Sequence, residues 1–374
     1  MSRKMDFEEL NVRFDRHPGK PRSAGGTGDL ATSASSPYPF AYARTALKYG
    51  LQTLGFESGD EVLVPEFVCE SLLEPMGQLG IRPVFYPAGT ALAPDWSRLP
   101  PLLGNRTRAL VVVHYFGQPQ PLDDCMAFAA AHDLLLIEDN AHGHGAEHAG
   151  QYLGTFGQIG ISAPRKSFSV ENGAYLYLHG DYRVDLTDLS LPESHRSSLK
   201  RRTRRWMEAL PGGPRVIARH TRMREAARRG GPPPSYHSQD AFRDPPILRD
   251  FGMSQVTQQF LAEQDLAAAR HARQRIYDVW QDWSGTVGLE PLFPHDAAGS
   301  MPLVYPALAR STEESRRWFE RGHRCGVDIH SWPTLPRSIV AQDGAAMRLW
   351  ERLVCFPIHQ AMDEQALQRR IRLL

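Results

Sequence analysis

Two uninterrupted apolar runs constrain what this chain can fold into more than any other feature. "LVVV" (110–113) and "LLLI" (134–137) have no polar break, so neither strand can keep one face in water; each must be covered on both sides. Between them, "PLDDCMAFAAAHD" reads as a helix. A buried strand, a helix and a second buried strand make a parallel crossover unit. The alternation continues in both directions. "RTALKYGLQTLG" is a helix with Leu47, Leu51 and Leu54 at helical spacing and Gly55 as its stop. "DEVLVP" is a strand, and "FVCESLLEPMGQLG" a helix with Val68, Leu72, Met76 and Leu79 on one face. "RPVFYP" and "AYLYLH" (174–179) are further strands. The expected fold class is α/β, a large domain with a mostly parallel sheet between helices.

The remainder of the 374 residues is organised around that sheet. Residues 1–38 are polar and rich in Gly, Ser and Pro, and are expected to form an extended or mobile arm. The large domain spans 39–253, with an arginine-rich insertion at about 180–250 that Pro232, Pro233 and Pro234 punctuate. Ser254 is expected to cap one long helix, "SQVTQQFLAEQDLAAARHARQRIYDVWQDW", whose apolar stripe includes Val256, Phe260, Ile276, Val279 and Trp283. That helix leads into a small C-terminal α+β domain, the whole unit spanning 254–374, with "SMPLVYPALA" as a strand and helices around "EESRRWFERGHRCG" and at the end.

A net charge of +1 gives no reason to expect nucleic acid or an anionic membrane as partner, and the insertion's arginines lack interleaved aromatics. They read as solvated helix faces. No apolar run approaches 18 residues, and the four cysteines form no CxxC pair, so neither a membrane span, a zinc site nor a disulfide framework is expected. A cytoplasmic location follows as the expectation. Lysine occurs only at Lys4, Lys20, Lys48, Lys166 and Lys200, among 43 lysines and arginines. Chemistry that needs a primary amine therefore has five candidates.

In a parallel α/β sheet, ligands bind beyond the carboxyl ends of the strands. Those ends deliver His114, Glu138 and Asp139, and the loop after 159–162 delivers Lys166. A single strand-end acid is often structural, and most lysines are surface cations. Asp139, His142 three residues on and Lys166 27 residues after the acid are more informative together. Pyridoxal phosphate wants that combination: its aldehyde forms a Schiff base with an amine, and a carboxylate keeps its pyridine nitrogen protonated. Its phosphate wants amides at a helix N-terminus and hydroxyl donors. Arg44 and Thr45 in "YARTAL" and Ser162 ahead of the lysine offer them.

"LIEDNAHGHGAEHAGQYLGTFGQIGISAPRK" resembles the signature of the DegT/DnrJ/EryC1/StrS (sugar) aminotransferases: Glu-Asp-x-Ala-His/Gln, a Gly-x-x-Gly region, a short strand and the lysine. "GDEVLVPEF", "HYFGQP", "GVDIHSWPTLP" and "LVCFPIHQ" follow the same order, so the resemblance covers roughly residues 40 to 374. It implies a fold type I pyridoxal phosphate enzyme, in a divergent branch. Carried over, Lys166 forms the Schiff base and shuttles a proton, Asp139 pairs with the pyridinium, and His142 supports the ring's phenolate side or Asp139 itself. Thr45, Ser162 and Arg44 hold the phosphate. The implied reaction takes an amino group from an amino acid donor to a carbonyl of a small metabolite in sugar or secondary-metabolite biosynthesis. A homodimer with shared active sites is implied as well. The chain departs from the family at Ser167, where many members have Asn, at Cys69, where many have a stacking aromatic, and at "LRDFGMS". Phe67 or another residue must then cover the ring. Elimination, racemisation, condensation or acyl transfer on the same cofactor, and a non-catalytic binding subunit, stand as alternatives.

Overall fold

The computed structural model describes residues 37–190, 246–294, 296–332 and 334–374. All but the end of the expected arm, and most of the arginine-rich insertion, lie outside the described residues. The chain enters as strand β1 (Tyr38–Phe40) and turns into helix α1 (Ala43–Thr53). Strand β2 (Glu61–Pro65), helix α2 (Leu73–Gln78) and strand β3 (Arg82–Tyr86) follow. Strand β4 (Thr107–Val113), helix α3 (Leu122–Ala131) and strand β5 (Leu135–Asn140) form the central crossover. A small hairpin, β6 (Glu147–His148) and β7 (Gln151–Tyr152), precedes β8 (Ile159–Ser162) and β9 (Ala174–Leu178).

Seven of these strands form one sheet in the order β1-β9-β8-β5-β4-β2-β3. Strands β3, β2, β4, β5 and β8 pair in parallel. β9 is antiparallel to both of its neighbours, β8 and β1, so β1 points the same way as β8. The first turn of α1 therefore starts at the carboxyl edge of the parallel strands. Alternate residues divide the sheet between two cores. Val111, Val113, Ile137, Ile159 and Ile161 pack with Ala46, Leu47 and Leu51 of α1. Leu110, Val112 and Leu136 pack with Cys125 and Ala129 of α3. Covering both faces is what the unbroken apolar runs require.

The expected helix from Phe67 is shorter than its apolar spacing predicts. Cys69 is extended, a 3₁₀ turn covers Glu70–Leu72, and α2 begins only at Leu73. Glu70 N–H donates to the carbonyl of Thr334 at 3.3 Å, so a tertiary contact replaces the first helical bond. The expected single helix after Ser254 is two helices, α4 (Gln255–Ala262) and α5 (Leu266–Thr286). Ser254 does cap the first, accepting from Thr257 N–H at 3.2 Å. Asp265 starts the second by accepting from Ala268 N–H at 2.9 Å, a side-chain bond that competes with continuing the helix. Val256 is exposed rather than part of a buried stripe.

Strands β10 (Glu290–Pro291), β11 (Val304–Leu308) and β12 (Leu353–Pro357) make a three-stranded antiparallel sheet. Helices α6 (Thr312–Cys325), α7 (Arg337–Gln342), α8 (Ala345–Arg352) and α9 (Glu364–Ile371) complete the C-terminal part. Ile276, Tyr277 and Trp280 of α5 pack there with Trp318, Phe356 and Leu367. Trp332, Leu335, Trp350 and Leu353 instead join the α1-side core of the large sheet.

One glycine shows how tightly the elements around β5 are nested. A Cβ on Gly160, in β8, would lie 1.7 Å from the carbonyl oxygen of Gly154. The Gly154–Gly157 loop thus lies directly against the strand, which only a glycine permits.

Candidate active site

The two-residue period of β5 sends its neighbouring acids to opposite faces. Asp139 shares the α1 side with Ile137, and its Oδ1 accepts from Ala141 N–H at 2.9 Å. Burial pushes its carboxyl above the usual carboxylate range, while the charge of Lys166 and then the Ala141 amide and His114 pull it back. Lys166 closes a 3₁₀ turn, Pro164–Lys166, directly after β8. Its own amide donates to Ala163 O at 2.9 Å, and Ser167 N–H donates to Pro164 O at 3.0 Å. The lysine is exposed at the mouth of the sheet.

His142 completes the group. Phe116 N–H donates to its Nδ1 at 3.0 Å. Burial, and after it the charge of Lys166, holds its pKa well below the ordinary histidine value. The ring is therefore neutral, with its proton on Nε2 and available for donation. Trp332 meets it edge-on at 4.8 Å between centroids, and Phe116 lies at 5.8 Å. Asp139 and His142 thus lie within electrostatic reach of Lys166.

Glu138 and His114 belong to the other face, where they do structural work. Glu138 accepts from the backbone N–H groups of Gly154 (2.9 Å), Phe156 (2.6 Å) and Gly157 (2.7 Å). His114 accepts from Gln120 N–H at Nδ1 (3.1 Å), which leaves its Nε2–H to meet Glu138 Oε2 at 3.0 Å. The expected Gly-x-x-Gly region is this loop, tied to a buried carboxylate.

Thr45 sits in the first turn of α1, 2% exposed, and its Oγ1 has no hydrogen-bond partner among the described residues. No side chain caps this helix and no acid lies in its first turn, so its N-terminal amides remain suited to an anion. Arg165 lies with its guanidinium carbon 5.5 Å from the ring of Tyr42, the residue that opens α1. Arg44 contacts the same ring at 6.0 Å, but its guanidinium also pairs with Glu74 at 2.5 Å. The Ser162 hydroxyl is engaged on another side, 3.1 Å from His144 Nδ1 and 3.4 Å from Tyr177 OH.

Several residues outside the predicted cofactor set gather here. Arg165 was legible as the lysine's neighbour, but only the return of α1 to the carboxyl edge sets it beside a helix N-terminus. At the divergent position Cys69, Sγ lies 3.2 Å from Ser71 Oγ, while Phe67 packs against Trp332 at 5.4 Å. Trp332, from "HSWP", is the aromatic that covers His142.

Buried His144 gives the site an acid limit. Desolvation pulls its pKa down to about 4, against an ordinary 6.5. Below pH 6.5 the unfolded chain binds a proton here that the native chain refuses, so stability falls as pH drops toward 4. The loss from this one group is about 3 kcal/mol, at roughly 1.4 kcal/mol per unit. Denaturant titrations at pH 7 and pH 4.5 should show it, and His144→Asn should narrow the difference. An unchanged gap would assign the acid lability elsewhere.

Residues 40–173 match the DegT/DnrJ/EryC1/StrS aminotransferase family model. Over 143 residues the chain is 36% identical to a UDP-N-acetyl-3-dehydro-alpha-D-glucosamine 3-aminotransferase of Acidithiobacillus ferrooxidans, covering 37% of this chain and 39% of that protein. Matched segments span 32 to 39% of the curated relatives' own length. The fold extends further. An aminotransferase from Streptoalloteichus hindustanus superposes with a TM-score of 0.62 at 20% identity, over 91% of this chain and 84% of that one. The E. coli GDP-4-keto-6-deoxy-D-mannose-3-dehydratase with bound hydrated pyridoxal phosphate gives 0.63 at 16% identity, over 91% and 88%. The chain shares its fold with both of these structures.

Proposed function

We propose, from the match of residues 40–173 to the DegT/DnrJ/EryC1/StrS aminotransferase family model, that this chain is a pyridoxal phosphate-dependent aminotransferase of sugar or secondary-metabolite biosynthesis. It takes an amino group from an amino acid such as glutamate or glutamine and delivers it to a carbonyl on a small metabolite. The observation that carries this reading is the convergence of one amine, one buried carboxylate and one neutral imidazole at the strand ends, with Lys166 acting electrostatically on both Asp139 and His142.

The residues present suit the cofactor. Thr45 offers a buried hydroxyl without a partner, at a helix N-terminus with no acid in its first turn. A phosphate would be held there by Thr45, the first-turn amides and Arg165, with Arg44 buttressed by Glu74. Bound pyridoxal phosphate supplies an aldehyde for the amine and a ring that accepts electron density. Asp139 holds a cationic ring nitrogen at its carboxylate. His142 donates its Nε2–H to an oxygen acceptor on the ring. Lys166 Nζ takes and returns the proton at the reacting carbon. Residues 39–253 form the cofactor-binding unit and 254–374 the smaller one. A second copy of the chain closes over the exposed lysine, making a homodimer that works in the cytoplasm.

Asp139→Asn separates the carboxylate's two roles. Its raised pKa means that ionisation costs folding stability as pH rises through the native value. The isosteric amide keeps the Ala141 bond and removes that cost. At pH 8 the cofactor-free variant should melt higher than the parent, yet lose retention of pyridoxal phosphate and keto acid release from an amino donor. A variant that keeps both reactions at parental rates overturns the assignment.

A further inference from the structure

The carbonyl of Ser167, one residue beyond Lys166, is held from the C-terminal part of the chain by two donors. Arg273 Nη2 reaches it at 2.9 Å and Gln360 Nε2 at 3.1 Å. Arg273 lies in α5 and is 1% exposed; Gln360 follows β12 in "FPIHQ". The same guanidinium donates to Gln360 Oε1 (2.9 Å) and to the carbonyls of Pro302 (2.8 Å) and Ile358 (3.2 Å). None of these acceptors is charged, and no carboxylate pairs with Arg273 among the described residues. Its charge is carried by carbonyl dipoles alone, and burial pulls its pKa down to about 9.

An arginine with no counterion is an expensive way to glue a core. A planar fork does something an apolar side chain cannot: it fixes several carbonyls from separate segments in one plane. We propose that Arg273, with Gln360, is a positioning residue that locks the Pro164–Lys166 turn through the Ser167 carbonyl and so makes the reach of the Lys166 amine depend on the seating of the C-terminal part. The turn's remaining backbone hydrogen bonds are local: two bonds back to Ala163 and Pro164, and one from Phe168 N–H to Pro164 O at 2.8 Å. On the Ser167 side the clamp is the polar tether across the chain, beside the apolar anchoring of Phe168 among Leu122, Met253 and Leu261. The consequence for chemistry rests on Lys166 being the cofactor's anchor; the clamp itself does not.

Two readouts test this on the full chain. Hydrogen exchange on the cofactor-free protein should show the amides of 166–168 exchanging at least tenfold faster in Arg273→Gln, Arg273→Lys and Gln360→Met. Capture of pyridoxal phosphate at Lys166, fixed by borohydride and read by peptide mass, should slow at least tenfold in the same variants. Arg370→Gln serves as the control, because Arg370 is another buried arginine, donating to Cys325 O at 3.0 Å away from the turn. It should leave both readouts near parental. Arg273→Lys should not rescue, since an ammonium cannot span the fork. Should Arg273→Gln prove insoluble, Gln360→Met still removes one of the two donors. Parental exchange at 166–168 in these variants, or effects no larger than the control's, overturns the clamp. If the parent fails to capture cofactor at Lys166 while exchange responds as expected, the clamp stands and the functional reading falls.

Discussion

Lys166→Ala is expected to abolish covalent capture of pyridoxal phosphate and to lower turnover by about 10⁴-fold, the scale lost with an essential base and nucleophile. The Pro164–Lys166 turn should stay folded in the variant, because its backbone bonds do not use the lysine side chain. Lys166→Arg sharpens the test. It keeps a cation beside Asp139 and His142 but has no amine to condense with an aldehyde. Equal loss in both variants assigns the effect to the nucleophile; retained turnover in the arginine variant would make the charge alone responsible. The small number of lysines makes the labelling unambiguous. Lys48, the other described lysine, is engaged with Asp250 at 2.6 Å. Borohydride labelling at Lys4, Lys20, Lys48 or Lys200 in place of Lys166 would refute the assignment.

Glu138→Gln is expected to cost stability rather than chemistry. The carboxylate satisfies three backbone amides and the His114 ring, all within 3.0 Å and out of water. A glutamine has one oxygen for these four donors, and its NH₂ must face N–H groups that also donate. Leaving buried donors unpaired in such a network costs about 3–5 kcal/mol. Against a whole-protein stability of roughly 5–15 kcal/mol, that lowers the melting temperature by about 10 °C. Thermal melting checks the first part, and donor half-reaction rates at low temperature check the second. A large rate loss without a melting shift would mean that Glu138 belongs to the reaction.

Glu138 and Asp139 also mark where reading the sequence stops. Both stand at the end of the same apolar run, and only the spacing to His142 and Lys166 favoured Asp139. The pleat decides between them, yet the run contains no polar alternation to reveal which parity faces α1. That parity is set by how α1 and α3 pack. Arg44 and Ser162 illustrate the same gap. Each has the right chemistry for a phosphate, and each has a partner, Glu74 or His144, brought to it from a distant segment. The helix break at Asp265 was visible as a capping residue, but the strong periodicity on both sides of it argued for one element.

What the sequence determined alone was the sheet and the strand ends at which Asp139, His142 and Lys166 stand. Unbroken apolar strands leave no stable alternative to burial on both faces, and the carboxyl ends of such strands fix where Asp139, His142 and Lys166 converge. Those are short-range consequences of strand polarity and loop length. What only the tertiary structure decided were the contacts made by side chains far apart in the chain: Trp332 over His142, Arg165 at the opening of α1, and Arg273 with Gln360 on the Ser167 carbonyl. Hydrogen bonds and ring contacts act over a few ångströms, so which residues share them depends on packing that no local pattern encodes.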